Sequence, residues 1–231
     1  GSCRRSHTGM ARCVLGLGGP RSADYPIRRA HVGRAFVEHA AQAYGFGPWR
    51  PISGALADIC EHGSGIVLCR LWAPSVGHAH GATLSTSSAS ANAARQCIRY
   101  LGVRSTSHVA VALADTRRPC GQFTAVEGSA HVPRWGAEVV AALSPSKQSG
   151  PQGPLRLQIG VGSPGRLVTS PTLEDYGERA MIPRDAAAVR ESVFPAAFEW
   201  LIKHWVGPMA ITHGDVYRRR LPQDTRRNEL R

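Results

Sequence analysis

The sequence predicts an α/β protein of one domain, and three stretches carry that expectation. Arg12 to Gly33 opens with the apolar run Cys13-Val14-Leu15 and breaks at Gly16, Gly18, Gly19 and Pro20. It then crosses an arginine-rich loop and enters a helical pattern. Strand, glycine turn and helix in that order is how α/β enzymes place active-site backbone at the carboxyl end of a sheet. His108 to Leu113 is a continuous apolar run, as a central parallel strand shows. Leu155 to Val161 is a further strand, closed by Gly162-Ser163-Pro164-Gly165.

The elements between follow in order. After Gly33, residues Phe36, Val37, Ala40, Ala41 and Tyr44 recur at helical spacing, and Gly45 supplies a stop. Ala55–Cys60 and Ile66–Leu71 flank Gly63-Ser64-Gly65 as a β-hairpin would. Ala73 to Ser88 reads as a polar loop, and Ala89 to Leu101 as a helix with Ser88 or Ser90 as N-cap and Gly102 beyond its end. Asp115 to Gly121 is a turn, Gln122–Val126 a short strand and Gly136 to Leu143 a short helix. Asp185 to Trp205 is helical, with Pro195 expected to kink or split it. The domain is placed at 12–206, between a basic N-terminal extension (1–11) and a basic C-terminal extension (207–231).

Composition narrows the function classes. The 231 residues carry a formal charge of +12, and all but two of the 28 basic residues, Lys147 and Lys203, are arginine. Arginine binds phosphate bidentately and stacks on bases, so this balance favours a nucleic-acid partner. GC-rich coding would explain arginine in place of lysine but not the excess of positive charge. No uninterrupted apolar segment reaches the roughly 18–20 residues of a membrane span. The six cysteines form no CxxC pair and several sit in apolar patterns, which predicts buried free thiols, a reducing compartment and no structural zinc. The first acidic residue is Asp24, preceded by Arg4, Arg5, Arg12 and Arg21 with Ser2, Ser6 and Thr8. Such a start resembles the tail of an organellar transit peptide and suggests the mitochondrial matrix, although a Gly-Ser opening is also what a tag leaves.

Four stretches in one order resemble the bacterial-type peptidyl-tRNA hydrolase family. Gly16-Leu17-Gly18-Gly19-Pro20 with Tyr25, Arg29 and Gly33 looks like its opening GLxNPGxxYxxTRHNxG. Val111 to Asp115 through Pro119-Cys120-Gly121 looks like VxHDDLDLPxG, and Arg156 to Gly165 is similar to RLRIGIGxPG. The helix ending Tyr100-Leu101-Gly102-Val103 fits the one after the family's MNxSG. The resemblance spans roughly residues 12 to 205, and its most specific part is RLQIGVGSPG. It implies a twisted mixed β-sheet flanked by helices. It also implies hydrolysis of the ester joining a peptide to tRNA, with a histidine as base on water, an aspartate orienting it and asparagines holding the substrate and the oxyanion.

The chemistry implied by the resemblance is missing at each corresponding position. The first asparagine falls on Gly19, the histidine on Ala30 (or Arg29, counting from Pro20), and the asparagine of MNxSG near Ser88. The aspartate falls on Ala114 and the asparagine of GHNG on Arg134. Methyl groups can neither take a proton nor orient a base, so the sequence predicts a pseudoenzyme. The alternative is an active hydrolase whose re-registered loop brings His31 and Asp115 together, although a one-residue shift on a strand turns a side chain to the other face. Arg134 and Trp135 would either fill the pocket or stack on RNA.

Other signals are weaker. Gly16-x-Gly18 lacks a third glycine for a dinucleotide fingerprint, His78-x-His80 lacks a completing metal ligand, and Gly63-Ser64-Gly65 is a turn rather than a nucleophile motif. No cofactor or metal is expected. Arg28, Arg29, Arg34, Arg117 and Arg118 would lie near the old site's mouth, with Arg134 in the pocket and Arg166 after the RLQIGVGSPG stretch. Arg218, Arg219, Arg220, Arg226 and Arg227 form a tail cluster. Two positions that hold tRNA phosphate in the family fall near Val126 and Gln158. The sequence therefore points to an RNA-binding subunit or assembly factor of an organellar ribosome's large subunit, with ribosomal RNA and ribosomal or assembly proteins as partners. A tRNA-binding protein that protects rather than cleaves is a weaker option.

Overall fold

The computed structural model describes residues 11–18, 27–72, 86–127, 132–144, 153–163 and 173–207, without the side chains of 86–88 and 173–175. Both terminal extensions thus lie almost wholly outside the described residues, as do Gly19, His78, His80, Arg166 and the tail arginines. Seven strands form one sheet: β1 (Arg12–Gly16), β2 (Arg50–Pro51), β3 (Ala57–Glu61), β4 (Ile66–Leu71), β5 (Val109–Asp115), β6 (Phe123–Val126) and β7 (Leu155–Gly160). Their order is β2-β3-β4-β1-β5-β7-β6. Four parallel strands, β4, β1, β5 and β7, make the centre, and antiparallel pairing adds β3 and β2 on one side and β6 on the other. The sheet is therefore mixed, and its central strands β1 and β5 are apolar on both faces for most of their length because helices cover both.

The period-two alternation of a strand sorts side chains between two helical layers. Val14, Leu68, Ala110, Ala112, Ala114, Leu155, Leu157 and Ile159 pack with Phe36, Val37 and Ala40 of α1 (Val32–Ala43) and with Phe194 and Phe198 of α6 (Phe194–Trp200). Their alternates Cys13, Leu15, Cys69, Val109, Val111 and Leu113 pack against Ala93, Ala94 and Cys97 of α2 (Thr86–Leu101). They also meet Val139, Val140 and Leu143 of α3 (Ala137–Leu143). The five described cysteines are free, four of them buried, and the Sγ atoms of Cys13 and Cys69 lie 3.4 Å apart. Burial pushes the Cys60 thiol up to about 12, which leaves it in the unreactive thiol form.

Three local expectations need correction. α2 begins at Thr86, so Ser88 and Ser90 lie inside the helix rather than capping it, and Ser90 is buried. Pro195 does not split its helix. Helical residues run from α5 (Pro183–Ala188) through a π-helical turn at Val189–Val193 into α6, then a second π turn at Leu201–Val206. In the first π turn Phe194 N–H reaches Val189 O, a wider hydrogen-bond step taken just before the residue that has no N–H to give. Finally, a short helix α4 (Leu173–Glu178) precedes α5 where no element was expected. No helix among the described residues is long and apolar enough to cross a membrane.

Candidate functional site

The carboxyl ends of β1 and β5 meet the start of α1, and the approach there is closer than any side chain allows. A Cβ on Gly33 would lie 2.1 Å from the Ala112 carbonyl oxygen, and one on Gly16 would lie 2.5 Å from a Val37 methyl. Leu17 N–H donates to Ala112 O, and Arg34 N–H to Leu17 O. At the far side, a Cβ on Gly160 would lie 2.1 Å from Pro119 O, so glycine there admits the turn after β5. These glycines set where the backbone runs around the crevice that α/β sheets keep at this edge.

What fills the crevice is apolar. Ala30, in a 3₁₀ turn (Arg29–His31) before α1, and Ala114 near the end of β5 are both buried in one cluster with Trp135 and Tyr176. A Cβ on Gly177 of α4 would lie 2.6 Å from the Trp135 ring and 3.1 Å from the Ala30 methyl. Indole, alanine and α4 therefore meet with no space left between them. Trp135 is buried, and its indole N–H has no hydrogen-bond partner among the described residues. Of the two roles weighed for this residue, filling the pocket is the observed one. Arg134 beside it is exposed, on the turn entering α3.

A clasp closes the mouth. Met181 N–H donates to Ile27 O, Arg28 bridges to Ala180, and Arg29 N–H donates to Arg179 O. The Arg29 guanidinium donates to Ala180 O at 2.7 Å and lies over the Tyr176 ring at 4.6 Å. Arg28 pairs with Glu178 at 2.7 Å. Two arginines expected to face RNA thus also have partners within the domain, on a segment the sequence did not mark, and Arg28 stays exposed. Arg34 differs from both. It is 5% exposed, donates to Glu38 at 2.9 Å and lies over Trp72.

His31 and Asp115 are not brought together. His31 Nε2 lies 3.4 Å from Glu178. Burial pushes its pKa below the ordinary 6.5, Glu178 opposes that shift, and Arg28 and Arg34 add to it. Asp115 follows Ala114 on β5 and so projects to the opposite face of the sheet. Its carboxylate accepts from Arg117 N–H at 2.9 Å and faces Arg118 Nε at 3.3 Å. There it lines an open groove of about 510 Å³ with Arg117, Arg118, Pro119, Gln122, Val126 and Gln158. Arg117 is exposed, so the cationic groups of this groove sit on the β5–β6 turn while Val126 and Gln158 form its strand wall. Ser88 lies in the first turns of α2, its side chain outside the described residues.

A second open groove, about 570 Å³, lies beside Trp49 and Arg70. Arg70 stacks between Trp49 at 4.5 Å and Trp72 at 5.4 Å, and it pairs with Asp58 at 2.8 Å and Glu38 at 3.0 Å. Carboxylates already neutralise its charge, so this ladder braces β4 against α1 rather than offering a cation to a ligand. Among the described residues no group of three or more His, Cys, Asp or Glu could hold a metal ion.

No protein-family model and no curated protein matches the chain. Solved structures do. A peptidyl-tRNA hydrolase mutant from Acinetobacter baumannii superposes with a TM-score of 0.62 at 18% identity, over 92% of this chain and 93% of that one. The unmutated Acinetobacter baumannii enzyme gives 0.61 at 18% identity, over 89% and 94%. A peptidyl-tRNA hydrolase bound to n-propanol gives the same values. The chain has the peptidyl-tRNA hydrolase fold. Within that fold, the glycine positions that the resemblance marks are kept at Gly16, Gly33 and Gly160, and the Ala30 and Ala114 positions lie in closed core.

Proposed function

We propose that this chain is a catalytically inactive protein of peptidyl-tRNA hydrolase fold that binds RNA as a subunit or assembly factor of an organellar, mitochondrial ribosome's large subunit. One observation carries the inactive part. Ala30 and Ala114 are buried in the same apolar cluster as Trp135, so among the described residues these two positions offer an ester and its water no proton acceptor. His31 is no substitute, since its carboxylate neighbour is Glu178 and Asp115 lies across the sheet. The RNA part rests on the +12 charge and its arginine bias.

Two measurements test this reading. The purified protein should not cleave peptidyl-tRNA, and turnover abolished by His31→Ala would overturn the pseudoenzyme assignment. It should co-sediment with ribosomal particles at moderate salt, and failure to do so would remove the ribosomal assignment.

A further inference from the structure

Arg28, Arg34 and Arg118 each face a carboxylate of the domain, whereas a second cationic stretch lies where the sequence has no acid. No Asp or Glu occurs between Glu61 and Asp115, and that stretch contains α2. The inner face of α2, at Ala93, Ala94 and Cys97, is buried against the sheet. Its outer face presents Asn92, Arg95, Gln96, Arg99 and Tyr100, all exposed, and Tyr100 keeps 60% of its surface in solvent. Arg104, just past the helix end, is exposed as well. Arg95 and Arg99 are one turn apart, about 6 Å along the axis, on one side of the helix. Arg95 Nε rests on Ala142 O of α3, and no acidic side chain among the described residues pairs with Arg95, Arg99 or Arg104. The nearest helix, α3, contributes one acid, the exposed Glu138.

Position adds a second argument. α2 ends where β5 begins, so Arg99, Tyr100 and Arg104 lie at the amino-terminal edge of the parallel strands, opposite the filled crevice. Trp205 Nε1 donates to Ser107 O at 3.0 Å and fixes the end of the last helical run to this same edge. Two residues later, at Gly207, the described chain gives way to the segment carrying Arg218, Arg219, Arg220, Arg226 and Arg227. The described chain therefore ends close to the Ser107 side of this edge.

We propose that the outer face of α2, together with Arg104, docks the phosphate backbone of single-stranded or loop RNA, with Tyr100 stacking on an unpaired base. The inference rests on the RNA-binding reading above and locates it. Arginine with an adjacent exposed aromatic suits RNA, because guanidinium groups take phosphate and a ring takes a splayed base. A lipid surface fits poorly, since the apolar face of α2 is already packed on the sheet.

The test uses the full chain and fluorescent poly(U), with affinity measured across a salt series. Each phosphate contact to a single strand contributes about −0.7 to the slope of log K against log salt. Combining Arg95→Gln, Arg99→Gln and Arg104→Gln should lower affinity by roughly tenfold or more and make the slope shallower by about 2. Tyr100→Ala should weaken binding with the slope unchanged. Arg184→Gln, at an exposed position on α5, should alter neither, and matching thermal melts should show that every variant is folded. If the wild-type protein binds poly(U) and the triple variant binds it equally with the same slope, the inference is overturned while the RNA-binding reading stands. Wild-type protein that binds neither poly(U) nor an RNA duplex would overturn both. Equal binding to poly-glutamate and poly(U) by wild type would show that the surface reads an acidic protein, which also overturns the inference.

Discussion

Arginines at the filled crevice and arginines on the outer face of α2 have the same chemistry and opposite circumstances. Arg28 has Glu178, Arg29 has two backbone carbonyls and the Tyr176 ring, Arg34 has Glu38 and Trp72, and Arg118 has Asp115. Arg99 and Arg104 stand in an acid-free stretch with solvent around them. A net positive charge therefore does not say which cations are open to a partner. The distribution of the few carboxylates decides which cations remain available.

The comparison breaks most readily at Trp135. Trp135→Ala should cost about 3–5 kcal/mol in urea unfolding, since it empties a buried indole from the centre of the cluster. It should bring no peptidyl-tRNA cleavage with it. A loss below about 1 kcal/mol would mean that the crevice is not closed by packing.

The next test sets one arginine against another. Arg34→Gln should destabilise by roughly 1–3 kcal/mol, because it removes a buried charge-assisted bond and the stacking on Trp72. Arg99→Gln should stay within about 0.5 kcal/mol, as surface changes do. Equal costs would erase the distinction between the two regions.

The smallest effect is on pH. His31, His39 and His62 are all held below 6.5, chiefly by burial. The unfolded chain then binds protons in a range where the folded chain does not. Stability should therefore decline as pH falls below about 6.5, and it should level off once the folded histidines also protonate. His31→Gln should remove part of that decline. A melting temperature that rises on acidification would mean that Glu178 outweighs desolvation at the clasp.

Much of this was legible from residues alone. The strand opening at Arg12, the helix entered at Gly33, the 57–71 hairpin and the strands at 109 and 155 follow from apolar runs and glycine placement, and all are present. The alanines at 30 and 114 were also readable, because the absence of an imidazole or carboxylate at a given position is a fact of sequence. The clasp was not. Leu173–Glu178 is six residues with a glycine inside and no apolar period, and Arg29 is held by carbonyls 150 and 151 residues away. Backbone acceptors leave no mark in a sequence. Trp135 posed the same difficulty, since an indole next to an arginine suits RNA stacking as well as core until its burial is known.

The clasp also has a kinetic side. It joins Ile27–Arg29 to Arg179–Met181 across most of the domain, and closing so long a loop is entropically costly for a few hydrogen bonds. Contacts of that kind form after the sheet that supports them and open before it. The crevice is thus expected to shut last on the way to the native state and to open first on the way out, which would bare Trp135 and Tyr176 while the sheet is still formed.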